Sequence, residues 1–294
     1  MQTKQQIQQL LASGGIFPNK RLGQNFLIDL NLMRLLIDSA SLRSNDVVLE
    51  VGCGTGSLTE GLAEVSGRVI AVEFDDNLAK IASSQLAGAA NVEVIRADIL
   101  ENKSTIDREV TEAVRVARGD CGGRFLLVAN LPYSVACPVM LNLILGPMTA
   151  DGMYATVQKE VAERMTAGTG SGHYGVLSIF MALSGDVKAG RILKPTVFWP
   201  QPQVGSAMVS FVRRQEKVSR IRSSEVLSEL VNMFMQHRRK MVKACTRFAA
   251  GRLEGIGNWP EVFDRCCIDP HKRPEQLSPE EYLAVSNLCC EYLT

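Results

Sequence analysis

Between residues 46 and 130, short apolar runs rich in β-branched residues alternate with longer stretches whose apolar positions recur at helical spacing. The runs Val47-Val48-Leu49-Glu50-Val51, Val69-Ile70-Ala71-Val72-Glu73, Val92-Glu93-Val94-Ile95 and Phe125-Leu126-Leu127-Val128-Ala129 do not alternate with polar residues. That is the pattern of strands buried on both faces, and it predicts a parallel sheet. Helices are predicted over 57–66, 75–86 and 105–118, so the segment reads as repeated strand-helix-strand units with right-handed crossovers. Further strands are expected over 153–157, 176–183 and 207–212. After Arg214 the strand signal ends, and 216–294 reads as helical. The predicted fold class is α/β, a doubly wound Rossmann-like sheet over 1–215 followed by a small C-terminal helical domain over 216–294. No internal repeat is present, and the Gly-rich stretches at 119–123 and 168–172 read as loops.

Composition narrows the class. The chain has 294 residues, 46% of them hydrophobic, which suits one large domain and a small one. No apolar stretch approaches the roughly 20 residues needed to span a bilayer, and the N-terminus carries neither a signal peptide nor an Arg-rich, Ser-rich transit pattern. The expectation is a cytoplasmic, monomeric protein of a bacterium with no membrane partner. The eight cysteines include no CxxC spacing and read as small buried hydrophobes, and the three histidines lie far apart, so no metal site is expected.

Charge adds a partner. The formal net charge is +1, yet residues 186–250 carry thirteen Lys or Arg against four acids, a local +9, while the last 44 residues carry eight acids against four bases. The N-terminal arm before Asp29 holds only bases, Lys4, Lys20 and Arg21. Segregated positive charge attracts a polyanion, although a charge run also serves as a solvated face.

Two motifs bring chemistry to the sheet. In Val48-Leu49-Glu50-Val51-Gly52-Cys53-Gly54-Thr55-Gly56-Ser57 the first strand enters a helix through three glycines, a turn that lets a ligand approach backbone. Such a loop by itself is equally a tight strand-to-helix turn. Its G-x-G-x-G spacing is not the G-x-G-x-x-G of dinucleotide sites. The next strand ends in Glu73, where a carboxylate can accept both hydroxyls of a ribose, and the third is followed by Asp98, suited to the exocyclic amine of an adenine ring. Together they favour a nucleoside cofactor without phosphates, such as S-adenosylmethionine, the methyl donor.

The fourth strand runs into Asn130-Leu131-Pro132-Tyr133. One reading is a turn with a packed ring. The other is methylation of an exocyclic amine, whose lone pair is delocalised until acceptors hold its hydrogens. The Asn130 side-chain oxygen and the Leu131 carbonyl supply such acceptors, Pro132 fixes the backbone direction, and Tyr133 offers a ring to a flipped base, worth about 1 to 3 kcal/mol.

From about Lys20 to the C-terminus the chain resembles the ribosomal RNA adenine dimethyltransferases, which form N6,N6-dimethyladenine. Lys20-Arg21-Leu22-Gly23-Gln24-Asn25-Phe26-Leu27 is similar to the family's N-terminal signature, and the resemblance implies that Asn25 and Leu27, with Gly52, Glu73, Asp98 and Asn130, contact the cofactor. It implies a class I methyltransferase sheet, with 1–215 as the catalytic domain and 216–294 as an RNA-recognition domain. Asn130, Leu131, Pro132 and Tyr133 match its catalytic tetrapeptide. Phe198-Trp199-Pro200-Gln201-Pro202-Gln203-Val204 resembles its aromatic-proline loop, which puts Phe198 over the base opposite Tyr133 or packs it under the sheet. Phe234-Met235-Gln236-His237-Arg238-Arg239-Lys240 resembles its basic helix. At helical spacing Arg239, Lys240, Lys243 and Arg247, with Arg238, form a phosphate-gripping face, and Phe234, Met241 and Phe248 a core-facing stripe.

The implied function is dimethylation of adenine in small-subunit ribosomal RNA, with the assembling small subunit as partner. Three features depart from the family: Cys53 for a proline, Gly205 for an acid, and an insertion between Asp98 and Asn130 that is expected on the surface as a helix or loop. Rival readings are a large-subunit resistance-type dimethyltransferase, a non-catalytic assembly factor and a small-molecule methyltransferase. Leu131 and the basic C-terminal pattern oppose the first, the intact tetrapeptide and cofactor acids the second, and the +9 segment the third.

Overall fold

The computed structural model describes residues 1–19 and 23–293. Lys20, Arg21 and Leu22, part of the expected N-terminal signature and positive arm, lie outside the described residues. The chain divides into two compact units, Met1–Ala162 with Lys188–Val212, and Glu163–Val187 with Arg213–Thr294. In chain order the elements run α1 (Lys4–Ser13), β1 (Phe26–Leu27), α2 (Leu30–Ala40), β2 (Val47–Val51), α3 (Ser57–Ala63), β3 (Arg68–Glu73), α4 (Asp76–Gln85), β4 (Val92–Arg96), β5 (Leu100–Asn102), β6 (Thr105–Ile106), α5 (Arg108–Cys121) and β7 (Phe125–Asn130). They continue with α6 (Ala136–Leu145), β8 (Gly152–Gln158), α7 (Lys159–Thr166), α8 (Val176–Ser184), β9 (Gly185–Leu193), β10 (Phe198–Trp199), β11 (Ser206–Arg213), α9 (Gln215–Val218), α10 (Ser224–Gln236), α11 (Val242–Cys245), α12 (Trp259–Arg265) and α13 (Pro279–Tyr292).

Seven strands form one sheet in the order β4-β3-β2-β7-β8-β11-β9. The strands from β4 to β8 are parallel, and β11 returns antiparallel to β8. All five residues of β2 are buried, as a central strand covered on both faces requires. The chain order reverses between β2 and β7, and in open α/β sheets this switch point opens a crevice at the carboxyl ends of the strands. At the opposite end, buried Asp46 accepts hydrogen bonds from the Arg43 and Arg124 backbone and pairs with the Arg124 guanidinium, tying the starts of β2 and β7 together. Helices α2, α4 and α5 each start on an aspartate, Asp29, Asp75 or Asp107, whose carboxylate accepts two first-turn N–H groups.

Three expectations change. The apolar run predicted as a strand over 176–183 is α8, buried on nearly every side, a case in which neither period is visible because no face is polar. The edge strand is instead β9, hidden from pattern reading by its exposed middle residues. The helix predicted over 105–118 is α5, beginning at Arg108 after the short antiparallel β5/β6 ladder. The expected insertion is therefore not peripheral throughout: α5 buries Val110, Val114 and Ala117 and packs on β2 and β3.

In the second unit α10 packs on α8 and α13. Two buried tyrosines brace it, Tyr174 donating to the Leu277 carbonyl at 2.9 Å and Tyr282 to the Pro274 carbonyl at 3.0 Å. The expected boundary at 215/216 falls close to the end of β11, but this helical unit also recruits the earlier segment Glu163–Val187, because the apolar surface of α8 is buried there.

Candidate active site

The glycine turn leaves β2 with Gly52, Gly54 and Gly56 all at positive φ, 77°, 60° and 83°. Two of these positions are also closed to a side chain by neighbours: a Cβ on Gly52 would lie 2.7 Å from the Pro132 ring, and one on Gly54 2.9 Å from the Phe26 ring. The turn is pinned to β3, since the Gly52 N–H donates to the Val72 carbonyl at 2.8 Å and the Gly54 N–H to Glu73 Oε2 at 2.8 Å. Glu73 Oε1 accepts from the Asp75 N–H at 3.0 Å, so both carboxylate oxygens are oriented by backbone and keep lone pairs for a ligand.

A cavity of about 280 Å³ opens here. Its wall includes Asn25, Leu27, Gly52, Glu73, Asp98 and Asn130, and also Leu131, Pro132 and Tyr133. The structure thus brings together every residue singled out for the cofactor and every member of the tetrapeptide. Asp98 is exposed, with Oδ1 accepting the Leu100 N–H at 3.0 Å. A cradle of backbone and apolar side chains with one carboxylate beneath a strand end and a second at the next suits an adenosine-type group.

The floor is acidic. Burial pushes the Glu50 carboxyl up to about 8, opposed by the Thr59 hydroxyl at 2.6 Å and reinforced by the charge of Glu73. Burial likewise raises Glu73, against the hydrogen bonds from Asp75 and Gly54. The Cys53 thiol is raised well above its ordinary range by burial, then by Glu50 and Glu73, and stays protonated at neutral pH.

Asn130 ends β7 with its side chain held at both atoms. Nδ2 donates to the Asn25 carbonyl at 2.9 Å, and Oδ1 accepts from the Thr156 hydroxyl. Because a carbonyl only accepts, these partners dictate which end of the amide is which. One lone pair on Oδ1 remains. The Leu131 N–H donates to the Thr156 carbonyl at 3.1 Å, which continues the ladder between β7 and β8 into the tetrapeptide. Tyr133 is half-buried, its hydroxyl 2.8 Å from Ser206 Oγ, and burial raises its phenol.

Phe198 does not join this wall. It is 1% exposed within the core cluster, its backbone paired with Leu27 in the β1/β10 ladder, so no ring face is left for a base. An exposed aromatic that does line the cavity is Phe74, 55% exposed and following Glu73 at the end of β3. Pattern reading also missed Thr156 and Ser206, which become site neighbours only once β8 and β11 take their places in the sheet. It missed Ile7, on the cavity wall, although Ile7 and Leu11 already lie four residues apart on one helical face.

In the second unit the basic segment is not one helix. Helix α10 ends at Gln236, a turn follows, and α11 begins at Val242. Phe234 is buried, but Met241 is 41% and Phe248 45% exposed, so the expected core-facing stripe is limited to Phe234. Phe248 stacks on His237 with ring centroids 3.7 Å apart, and Lys240 Nζ lies over the same ring at 5.8 Å. Arg238 pairs with Glu275 at 3.0 Å, and Lys243 Nζ meets His271 Nε2 at 2.8 Å. Arg239 and Arg247 are exposed and make no ion pair among the described residues. No helix among the described residues is long and apolar enough to cross a membrane.

A family model for ribosomal RNA adenine dimethylase matches residues 17–288. The chain is 37% identical over 281 residues to the ribosomal RNA small subunit methyltransferase A of Pelotomaculum thermopropionicum, covering 96% of this chain and 94% of that protein. Its fold is similar to that of a dimethyladenosine transferase from Plasmodium falciparum, at a TM-score of 0.72 and 21% identity over 91% of this chain and 98% of that one. It is also similar in fold to the 23S rRNA methyltransferase ErmE, at a TM-score of 0.62 and 22% identity over 89% and 98% of the two chains.

Proposed function

The chain belongs to the ribosomal RNA adenine dimethylase family, and from that premise we propose that it transfers two methyl groups from S-adenosylmethionine to adenine N6 in small-subunit ribosomal RNA during subunit assembly. The observation that carries this reading is the convergence of Gly52, Glu73, Asp98 and the Asn130–Tyr133 turn on one cavity. Bound there, S-adenosylmethionine supplies an electrophilic methyl group. Glu73 takes the ribose hydroxyls and Asp98 the adenine amine of the cofactor, while Asn25, Leu27, Gly52 and Asn130 line its seat.

The chain's own residues then prepare the nucleophile. Asn130 Oδ1 offers its remaining lone pair to one N6 hydrogen and the Leu131 carbonyl accepts the other, which drives the nitrogen lone pair out of conjugation and toward the methyl group. Pro132, packed against Gly52, holds that carbonyl at a fixed distance from the glycine turn. Tyr133, its hydroxyl anchored on Ser206, stacks on the flipped base. Positioning supplies the acceleration, and the proton of the product leaves to water.

The helical unit grips phosphates through Arg239 and Arg247, with Lys240, Lys243 and Arg238 adding charge. The enzyme works as a monomer in the bacterial cytoplasm, with the precursor of the small subunit as partner. Labelled S-adenosylmethionine offered to unmodified small subunits, large subunits and free RNA in parallel, followed by nucleoside analysis, tests this. Dimethyladenosine in small-subunit RNA is the expected product. The same product in large-subunit RNA alone, or no transfer to any substrate, would overturn the reading.

A further inference from the structure

Gln2, just ahead of the N-terminal helix, ties it to the glycine turn. Gln2 is 4% exposed and all of its hydrogen-bonding groups except its carbonyl are committed to that turn and the helix after it. Its backbone N–H donates to Ser57 Oγ at 2.8 Å, and its Nε2 donates to the Thr55 carbonyl at 3.1 Å and to Glu60 Oε1 at 2.8 Å. In return the Thr55 hydroxyl donates to Gln2 Oε1 at 2.7 Å. Thr55 and Ser57 are 1% and 7% exposed, so the bonds to these two residues are made away from water, where a missing partner is felt in full.

One turn further on, α1 seats Ile7 and Leu11, 0% and 2% exposed, in a small apolar cluster with Leu78 of α4. Ile7 and Leu78 are themselves part of the cavity wall, as are Thr55 and Ser57. The helix therefore bridges the turn that follows β2 and the helix that follows β3, the two places whose spacing sets the width of the cofactor seat.

We infer that Gln2 is a positioning residue for cofactor binding, acting through Thr55 and Ser57 to hold the glycine turn at its binding distance from Glu73. This deepens the proposed function and rests on its placement of the cofactor. A polar clamp of this kind explains why a glutamine, and not an apolar residue, is buried just ahead of α1: a side chain with a donor and an acceptor on one planar group satisfies the Thr55 carbonyl and hydroxyl together.

The test uses the full chain and S-adenosylhomocysteine as the binding probe. Gln2→Met keeps the length and apolar volume of the side chain and removes its three side-chain bonds. The expected result is about tenfold weaker S-adenosylhomocysteine binding by calorimetry, the scale of losing buried hydrogen bonds. The KM for S-adenosylmethionine rises in parallel, and kcat at saturation stays within about twofold, as expected when ground-state and transition-state binding fall together. In a double-mutant cycle, Gln2→Met with Thr55→Val binds no more weakly than the poorer single variant, because the two act as one unit. Should Gln2→Met fail to fold, Ser57→Ala, which removes the acceptor of the Gln2 N–H together with the weaker bond from the Ser57 hydroxyl to Met33 Sδ, carries the same comparison. Native probe affinity in the folded variant, additive losses in the cycle, or a fall in kcat at unchanged affinity would each overturn the inference. A native chain that binds no S-adenosylhomocysteine overturns instead the cofactor reading beneath it.

Discussion

The side-chain amide of Asn130 is oriented from outside the Asn130–Tyr133 turn, by the Asn25 carbonyl on one side and the Thr156 hydroxyl on the other. Asn130→Ala removes an acceptor that is already aimed before substrate arrives, and kcat should fall by on the order of 10²-fold, the usual effect of deleting one preorganised polar group. Methyl transfer to small subunits under saturating cofactor checks this, and activity within a few-fold of native would remove Asn130 from the mechanism. Glu50 makes a prediction of a different kind. Its carboxyl rises from 4.5 to about 8 in the folded chain, chiefly through burial. A group that holds its proton more tightly when folded contributes fully below about pH 4.5, and that contribution is lost as pH climbs to about 8, at up to ~1.4 kcal/mol per pH unit. Urea unfolding across that window should show declining stability, and Glu50→Gln should flatten the decline. That Gly52, Glu73, Asp98 and Asn130 would meet at one cavity was legible in the chain because all four sit at or just beyond strand ends. Glu50 was not, since inside an apolar run nothing local says that a carboxyl will be sealed from water.

At the level of elements, strands β2, β3, β4 and β7 could be read directly, because a run of β-branched residues bounded by turns has few other uses. Helix α8 and strand β9 exchanged their signals: Val176–Ser184 has no polar face to reveal a helical period, and Gly185–Leu193 carries its polar residues where an edge strand meets solvent. The basic segment shows a related limit. Spacing alone groups Arg239, Lys240, Lys243 and Arg247 on one side of a helix, yet the helix ends at Gln236 and the cations are distributed over a turn, α11 and the short turn beyond it. Their readiness for phosphate then differs. Arg247 is exposed with no ion pair among the described residues, whereas Arg238 is engaged with Glu275. In a plot of log affinity for small subunits against log salt, Arg247→Gln should reduce the slope by about 0.7 to 0.9, one phosphate contact, while Arg238→Gln should change it less. Equal slopes for native chain and Arg247→Gln would place the phosphate grip elsewhere.

For the molecule as a whole, each unit is assembled from two stretches of chain. The sequence places a single boundary after β11, since the change from strands to helices there is the visible signal; nothing in Glu163–Val187 announces that its apolar helix belongs with α9, α10 and α13, all beyond Arg214. A chain cut after Arg214 is therefore not a separable catalytic module. It keeps every strand of the sheet but leaves α8, with Leu177, Ile179, Phe180, Met181 and Leu183 buried in the intact protein, without α10 and α13. Such a chain should aggregate or melt well below the full protein in calorimetry, and a monomeric fragment of native stability would contradict this. The same interleaving has a consequence during synthesis. Residues emerge from the ribosome in order, and α8 leaves the exit tunnel long before α13, its closing partner at the end of the chain, has been translated. For that interval a nine-residue greasy helix waits unclothed on the nascent polypeptide. The last helix thus acts as a late latch, and nascent chains stalled before Pro279 should be held by chaperones that full-length chains release.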